Sequence, residues 1–173
     1  DTNGVSDVFI RDLREGTVRR VMGQQGQEPN GGSYLPVISG NGQWVAYTSS
    51  ATNLVAVPLN SPVDIFVTEL ATGNTWRVTQ SPAGAALDSP DSSIVGMDFE
   101  GNLFWSSRAT NAADNCDADG SEPDGFMWSH VDHTSTMVTF NGGSQGNAYG
   151  ESFLPPVHNC ADPMNPGAES GAR

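Results

Sequence analysis

Apolar and polar residues alternate over short stretches of the chain, and turns rich in glycine, asparagine and aspartate separate these stretches. Alternation with a period of two predicts half-buried β-strands, and no stretch shows a convincing helical period. The pairs Asn41-Gly42 and Glu100-Gly101 fall between strands and indicate hairpin turns. The sequence therefore predicts an all-β protein. Its predicted strands are 7–13, 17–22, 33–39, 43–49, 64–70, 74–79, 92–98, 102–107, 125–131, 135–140 and 151–157.

The predicted strands recur as a repeat of about 58 residues. Asp7, Asp64 and Asp124 open similar segments, at separations of 57 (64 − 7) and 60 (124 − 64) residues. Each is followed after fourteen residues by a valine: Val21, Val78 and Val138. The segment SSATN at 49–53 returns as SRATN at 107–111. The 173 residues hold about three units, approximately 1–57, 58–117 and 118–157, with an irregular tail at 158–173.

Three phrases carry a resemblance to a known family. They are DTNGVSDVFIRDL at 1–13, GSYLPVIS at 32–39 and WVAYTS at 44–49. They resemble the TolB-like, WD40-like (PD40) β-propeller repeats of bacterial envelope and secreted proteins. The resemblance covers roughly residues 1–140 and implies an incomplete propeller of about three four-stranded antiparallel blades, starting in mid-blade. The chain has Asn41-Gly42 where the family has Asp-Gly.

The size of a propeller sets an expectation about partners. A whole propeller has 4–8 blades, and this chain begins with Asp1 rather than Met. We therefore expect either a piece of a longer propeller or a chain that is completed by copies of itself or by a protein partner.

The loop at 115–124 has the pattern of a calcium site. Oxygen-bearing side chains alternate along it, and Gly120 permits a sharp turn. It is similar to the calcium loops of integrin-type propellers, with one extra residue before the last aspartate. This extra residue leaves open whether Glu122 or Asp124 completes the coordination. The predicted ligands are Asn115, Asp117, Asp119, Ser121, Glu122 and Asp124.

The loop at 1–7 repeats this pattern at the equivalent position. Its predicted ligands are Asp1, Asn3, Val5 and Asp7, while the middle loop at 59–64 has lost the pattern and is expected to be empty. A structural Ca²⁺ in one or two loops is the prediction. The alternative is that these residues serve only as turn formers, which Asp, Asn and Gly commonly do.

The charge of the chain narrows the classes of partner. Twenty acids against seven bases, all of them arginine, give a net charge of −13. Without a cluster of cations, binding to nucleic acid or to an anionic membrane surface is disfavoured. No stretch of eighteen apolar residues predicts a transmembrane helix. Cys116 and Cys160 are either one disulfide or two free thiols, and their spacing does not fit a zinc site.

The sequence shows no motif for nucleophilic catalysis, phosphate binding or a histidine metal site, while a pair of carboxylates for glycoside hydrolysis stays open beside the favoured interpretation of these acids as turn formers. His130 and His133 are three apart on a predicted strand, so they are expected on opposite faces and not on one metal. No nucleophile elbow and no phosphate loop occurs. Trp44, Trp76 and Trp105, like Trp128, lie in predicted strands, which favours packing between blades over a platform for sugars.

Together these patterns predict a non-enzymatic binding or scaffolding module. We expect it to be secreted, periplasmic or in the cell envelope and to act through protein–protein contact or self-assembly. Two alternatives stay open. One is a propeller fragment of a larger peptidase- or hydrolase-associated enzyme whose catalytic residues lie elsewhere, and the other is a carbohydrate-binding lectin.

Overall fold

The computed structural model describes residues 2–23, 26–56, 62–89, 91–112 and 123–138. Within these ranges the regular structure is ten antiparallel strands and no α-helix, which confirms the all-β prediction. None of the described residues belongs to a helix that could cross a membrane. The predicted strand at 151–157 lies outside the described residues. The strands are β1 Phe9–Arg11, β2 Val18–Arg20, β3 Ser33–Ile38, β4 Trp44–Ser49, β5 Asp64–Glu69, β6 Thr75–Arg77, β7 Ser92–Met97, β8 Leu103–Ser107, β9 Asp124–Trp128 and β10 Ser135–Met137.

The strands form three sheets in which each strand pairs with its neighbour in the chain. They are the first hairpin (β1–β2), the middle sheet (β3–β4–β5–β6) and the last sheet (β7–β8–β9–β10). Two four-stranded antiparallel sheets are therefore present among the described residues, where the repeat predicts about three, and none of the three sheets closes on itself. Each four-stranded sheet takes two strands from one repeat unit and two from the next, with β4 pairing to β5 across the junction.

The two inner strands of the middle sheet are buried on both faces: every residue of β4 and all but the last of β5 are buried, whereas the edge strand β3 is mostly exposed. One face presents Trp44, Ala46, Ile65 and Val67 to the last sheet. The other face presents Val45, Tyr47, Phe66 and Leu70 to the first hairpin. Because side chains alternate between the faces of a strand, the continuous apolar runs of β4 and β5 place apolar residues on both faces of the sheet. The three sheets are consequently stacked face to face.

The turns at the start of the two four-stranded sheets hold those sheets together. Gly42 and Gly101 have positive φ angles of 69° and 117°, as the hairpin predictions require. The N–H of Asn41 donates to the carbonyl of Phe99 at 3.1 Å. Trp44 packs directly on Gly101, since a Cβ there would lie 2.3 Å from the Trp44 ring. Backbone hydrogen bonds and one aromatic contact thus fix the turns against each other.

The repeated valines have a common structural role. In each sheet the valine N–H donates to the carbonyl of the residue that follows the aspartate. The pairs are Val21 with Val8, Val78 with Ile65 and Val138 with Gly125, at 2.9, 2.8 and 2.8 Å. This bond extends the pairing of the last two strands beyond the regular ladder, so the fourteen-residue spacing reflects strand register.

The repeated SxATN segment is a hydrogen-bonded clamp that ties the end of one strand to the preceding loop. The side chain of Asn53 accepts the N–H of Asn30 at 3.0 Å and donates to the carbonyl of Glu28 at 2.8 Å. The side chain of Asn111 accepts the N–H of Asp88 at 3.0 Å and donates to the carbonyl of Ala86 at 3.0 Å. Both asparagines therefore satisfy backbone groups that lie outside the strands.

We predict that Asn53→Ala and Asn111→Ala each lower the free energy of unfolding by about 1–3 kcal/mol, because each leaves backbone partners without their bond. Urea denaturation followed by tryptophan fluorescence measures the change. The exposed Asn74 is the control, and Asn74→Ala should change stability by less than about 0.5 kcal/mol. Equal effects at all three positions would contradict the clamp.

Candidate functional site

The loop at 1–7, the first of the two predicted calcium loops, is held by hydrogen bonds to other residues of the chain. Asn3 donates its amide N–H to the Asp7 carboxylate at 3.2 Å and to the carbonyl of Pro29 at 2.9 Å. The Asn3 side-chain oxygen accepts the N–H of Val5 at 3.0 Å. The second carboxylate oxygen of Asp7 accepts from the Arg20 guanidinium at 2.9 Å. The oxygens predicted as calcium ligands at Asn3 and Asp7 are thus occupied by hydrogen bonds.

Arg20 connects this loop to a second carboxylate. Its guanidinium bonds both Asp7 and Glu28, and these hydrogen bonds raise the pKa of Arg20. Glu28 also accepts the hydroxyl and the backbone N–H of Thr2. The hydrogen bond from the Thr2 side chain is the largest of the causes that lower the pKa of Glu28 to about 2. This end of the first hairpin is a charged network in which one cation serves two anions.

The calcium prediction is only partly covered by the structure. Asp1, Cys116, Cys160 and the segment 115–122 lie outside the described residues. Asp124 is described: it is buried at the start of β9, opposite Ser107. No group of three or more His, Cys, Asp or Glu side chains within the described ranges is arranged to hold a metal. Since Asp7 is paired with a guanidinium, the described part of the first loop does not form a calcium cage by itself.

A second Asp–Arg pair occupies the equivalent position in the middle sheet. Asp64 and Arg77 are both buried, with 3.7 Å between the Asp64 Oδ1 and the Arg77 Nε. The Asp64 Oδ1 accepts the hydroxyl of Thr79 at 2.6 Å, and the Arg77 Nε–H donates to the Thr79 carbonyl at 3.1 Å. Burial raises the pKa of Asp64, while Thr79 and Arg77 oppose this increase. In the last sheet the register puts Met137 where the arginine would stand.

The sequence reasoning did not find these arginines. Arg20 and Arg77 each stand thirteen residues after the aspartate they accompany, Asp7 and Asp64. The repeat therefore contained the signal, because a recurring offset of opposite charges indicates a contact across paired strands. The sequence pattern by itself predicts a calcium ligand at Asp7 and only a strand start at Asp64, with no partner for either.

An aromatic cluster fills the space between the middle and last sheets. It consists of Trp44, Trp76, Trp128, His130 and His133. The three indole rings lie with centroids 5.7 to 6.4 Å apart. Such tilted and edge-on contacts add stabilisation beyond the area buried. The tryptophans therefore pack between sheets, as their positions in strands suggested.

The two histidines are part of this cluster and lie outside the strands. β9 ends at Trp128, so His130 and His133 occupy the turn before β10, and the prediction of a strand over 125–131 was too long. His133 has a φ of 58° and stacks on Trp76 at 4.1 Å between ring centroids. His130 contacts the oxygen of Asn102 through its Nδ1 at 2.9 Å. The turn places each imidazole against an indole ring.

No protein-family model matches this chain, and no curated protein matches it either.

The free energy of unfolding should depend on pH with opposite sign for the buried Asp64 and for the half-buried Glu28. The pKa of Asp64 is raised on folding, so its ionisation costs folding free energy as the pH rises through the folded pKa. We predict that Asp64→Asn gains stability relative to the wild type as the pH increases from about 3.9, the usual aspartate value. Chemical denaturation at a series of pH values measures this difference.

Glu28→Gln provides the comparison. The pKa of Glu28 is lowered to about 2, so its contribution is present above the usual glutamate pKa and is lost as the pH falls towards 2. The Gln variant should be less stable than the wild type at pH 7, and the difference should vanish in acid. If the stability differences of the two variants from the wild type varied with pH in the same way, the opposite pKa shifts of Asp64 and Glu28 would be contradicted.

Proposed function

We propose that this chain is a segment of a TolB-like β-propeller and serves as a non-enzymatic binding or scaffolding module of a secreted or envelope protein. Its work is protein–protein contact through the faces and edges of its sheets. The stacking of antiparallel sheets on a repeat of about 58 residues supports this proposal. The observation that carries it is that the outermost face of the first hairpin and the outermost face of the last sheet are not covered by a further sheet.

The outer face of the first hairpin is open to solvent, whereas the equivalent faces of the middle and last sheets are covered by another sheet. Phe9, Phe66 and Phe126 occupy the same register position, opposite Arg20, Arg77 and Met137. Phe66 and Phe126 are 0% and 1% exposed because another sheet packs on them, whereas Phe9 is 54% exposed. An aromatic side chain of this kind contributes strongly when it is buried in an interface.

The outer face of the last sheet is open at the other end of the stack. Phe104 pairs with Met127 there, as Ala46 pairs with Val67 in the middle sheet. Ala46 and Val67 are fully buried against the last sheet, while Phe104 and Met127 are only half-buried. The two open faces correspond to the two surfaces that meet between the middle and last sheets. Each is therefore suited to a further sheet of the same kind, either from the same protein or from a second copy.

Removing the ring of Phe9 should weaken this contact. We predict that Phe9→Ser reduces self-association of the 173-residue chain by about tenfold or more, since the loss of a buried aromatic anchor costs 2 kcal/mol or more at an interface. Sedimentation velocity over a range of concentrations, together with native mass spectrometry, measures the oligomer.

Phe99→Ser is the matched control, because Phe99 is 64% exposed in the turn between β7 and β8 and lies on neither open face. Its substitution should leave association unchanged. A wild-type chain that stays monomeric at every concentration would argue against self-assembly, and a mass that includes another polypeptide would place the further sheets in that partner.

Structural calcium in the blade loops is part of the proposal. Extracellular calcium modules bind with dissociation constants of about 10⁻⁴–10⁻³ M. We predict that about 10 mM CaCl₂ raises the melting temperature by about 3–10 °C over EDTA, since binding to the folded state adds about 1.4–2.7 kcal/mol. Asp119→Asn should remove most of the increase. Asp7→Asn tests the first loop by the size of its calcium-dependent increase alone, because loss of the bond to Arg20 lowers the melting temperature whether or not calcium binds. Equal melting temperatures in calcium, magnesium and EDTA would refute this part.

The alternative functions have less support. A lectin that stacks sugars on tryptophan needs exposed rings, and Trp44, Trp105 and Trp128 are buried in the described structure. The length and composition of the complete gene product test the enzyme-fragment alternative. An appended hydrolase domain would establish that alternative.

A further inference from the structure

The three stacked sheets meet at two interfaces whose positions correspond through the strand register. The first interface lies between the first hairpin and the middle sheet, and the second lies between the middle and last sheets. In the first hairpin, Arg19 pairs with Ile10, which packs into the first interface. In the middle sheet, Trp76 pairs with Val67, which packs into the second interface. Because paired residues share a face of the sheet, Arg19 and Trp76 enter the two interfaces from the same position.

The sheet on the other side of each interface contributes two more corresponding positions. Thr68 in the middle sheet and Trp128 in the last sheet both stand two residues after the repeated phenylalanine. Gly73 and His133 occupy the same place in the turns that follow. Their N–H groups donate to the carbonyl four residues earlier at 2.8 and 2.9 Å, and their φ angles are 75° and 58°. The first interface therefore has a threonine and a glycine where the second has an indole and an imidazole.

Aromatic rings fill this place in the second interface, and a groove occupies it in the first. The Trp76 ring stacks on His133 with 4.1 Å between ring centroids and lies 6.4 Å from the ring of Trp128. The three corresponding residues of the first interface all line one open groove, which has a volume of about 790 Å³. The groove is therefore the space that rings occupy at the equivalent place in the next interface.

The lining of this groove combines apolar side chains with an exposed guanidinium. Val21 and Leu70, which are buried, and Ile10, which is partly buried, belong to its apolar part. Arg19 is exposed, and no hydrogen bond or salt bridge holds its side chain among the described residues. Concave sites of about 300–1,000 Å³ with an apolar lining and a few polar groups are typical of small-molecule binding.

The charges around the groove favour an uncharged ligand. Arg20 also lines the groove and is already paired with two carboxylates. The charge of Arg19 acts on Asp12 in the adjacent turn, and Glu69 is a further residue of the lining. Acids near the groove thus balance its two guanidinium groups. A guanidinium without a hydrogen-bond partner can still stack on the face of an aromatic ring.

We propose that the groove between the first hairpin and the middle sheet binds a small, uncharged, planar aromatic molecule. The ring stacks on the guanidinium of Arg19 and covers the apolar part of the lining. It thereby takes the place that an indole and an imidazole fill in the second interface. This activity is separate from contact through the outer faces, because the groove lies between two sheets of the chain.

The test is a titration of the ¹⁵N-labelled 173-residue chain with indole, observed through assigned backbone N–H resonances. We expect the resonances of Gly73 and Arg19 to shift to a saturating value, because both residues line the groove. The dissociation constant should be about 1–10 mM, since a ligand of this size gains a limited free energy per atom. The resonance of Gly101, in the turn between β7 and β8, should not move.

Gly73→His fills the groove with the imidazole of the second interface. A Cβ at Gly73 meets nothing within 4 Å, and His133 adopts a similar φ at the equivalent place. This variant should bind indole about tenfold more weakly or not at all, because its side chain occupies the site. Gly16→His is the matched control: Gly16 has a φ of 68° and open space around it in the turn of the first hairpin, outside the groove. Its affinity should stay within about twofold of the wild type.

Two comparisons test the stacking itself. Arg19→Ala should weaken the binding of indole by about threefold or more, because a cation–π contact is lost. The control Arg14→Ala removes an exposed arginine that does not line the groove and should leave the affinity unchanged. Among ligands, cyclohexanecarboxamide should bind at least about threefold more weakly than benzamide, because its ring is neither flat nor aromatic.

The outcomes decide the proposal. A Gly73 resonance that does not saturate with indole overturns it, and this is the result expected if the groove holds only water. Equal loss of affinity in Gly73→His and Gly16→His, or equal binding of benzamide and cyclohexanecarboxamide, overturns it as well. If Gly73→His does not fold, Arg19→Ala decides, because Arg19 is exposed and its side chain has no hydrogen bond to lose among the described residues. Retention of the wild-type affinity in that variant overturns the proposal.

Discussion

Burial of both faces of the inner strands of the middle sheet, β4 and β5, is the constraint on which the rest of this structure depends. A strand with apolar residues at alternate positions has one apolar face to bury. β4 and β5 carry apolar residues at successive positions, so both of their faces are apolar. Such strands require a layer on each side, and the chain provides the first hairpin on one side and the last sheet on the other. The contacts between turns and the aromatic cluster both follow from this arrangement of layers.

Several features of this fold were predictable because they depend on residues close together in sequence. The turn at Asn41-Gly42 follows from the positive φ that glycine accepts, and the strand order follows from the alternation. The ends of the strands were less accurate. β1 stops at Arg11 because the Asp12 carboxylate accepts the N–H groups of Arg14 and Glu15 and starts the turn early.

The candidate site was less predictable because it depends on pairing between strands. Asp7 was interpreted as a calcium ligand, yet its carboxylate contacts Arg20, which only the register of β1 and β2 brings close. The buried indole groups of Trp105 and Trp128 are similar: the sequence marks both residues as core, and only the structure shows that their N–H groups have no acceptor among the described residues. Apolar periodicity reports which side chains are buried and is silent on whether a buried N–H has an acceptor.

The offset between the repeat unit and the sheet has a consequence for how such a protein grows during evolution. Because β4 and β5 belong to different repeat units, as do β8 and β9, each junction between units lies inside a sheet, where six residue pairs run in register at the first junction and five at the second. Duplication of one unit in the gene would therefore insert a complete additional layer, and its new strands would meet old partners with matching side chains. A chain built in this way can gain or lose layers in single genetic events, and each strand at the junction between units still meets a partner with matching side chains.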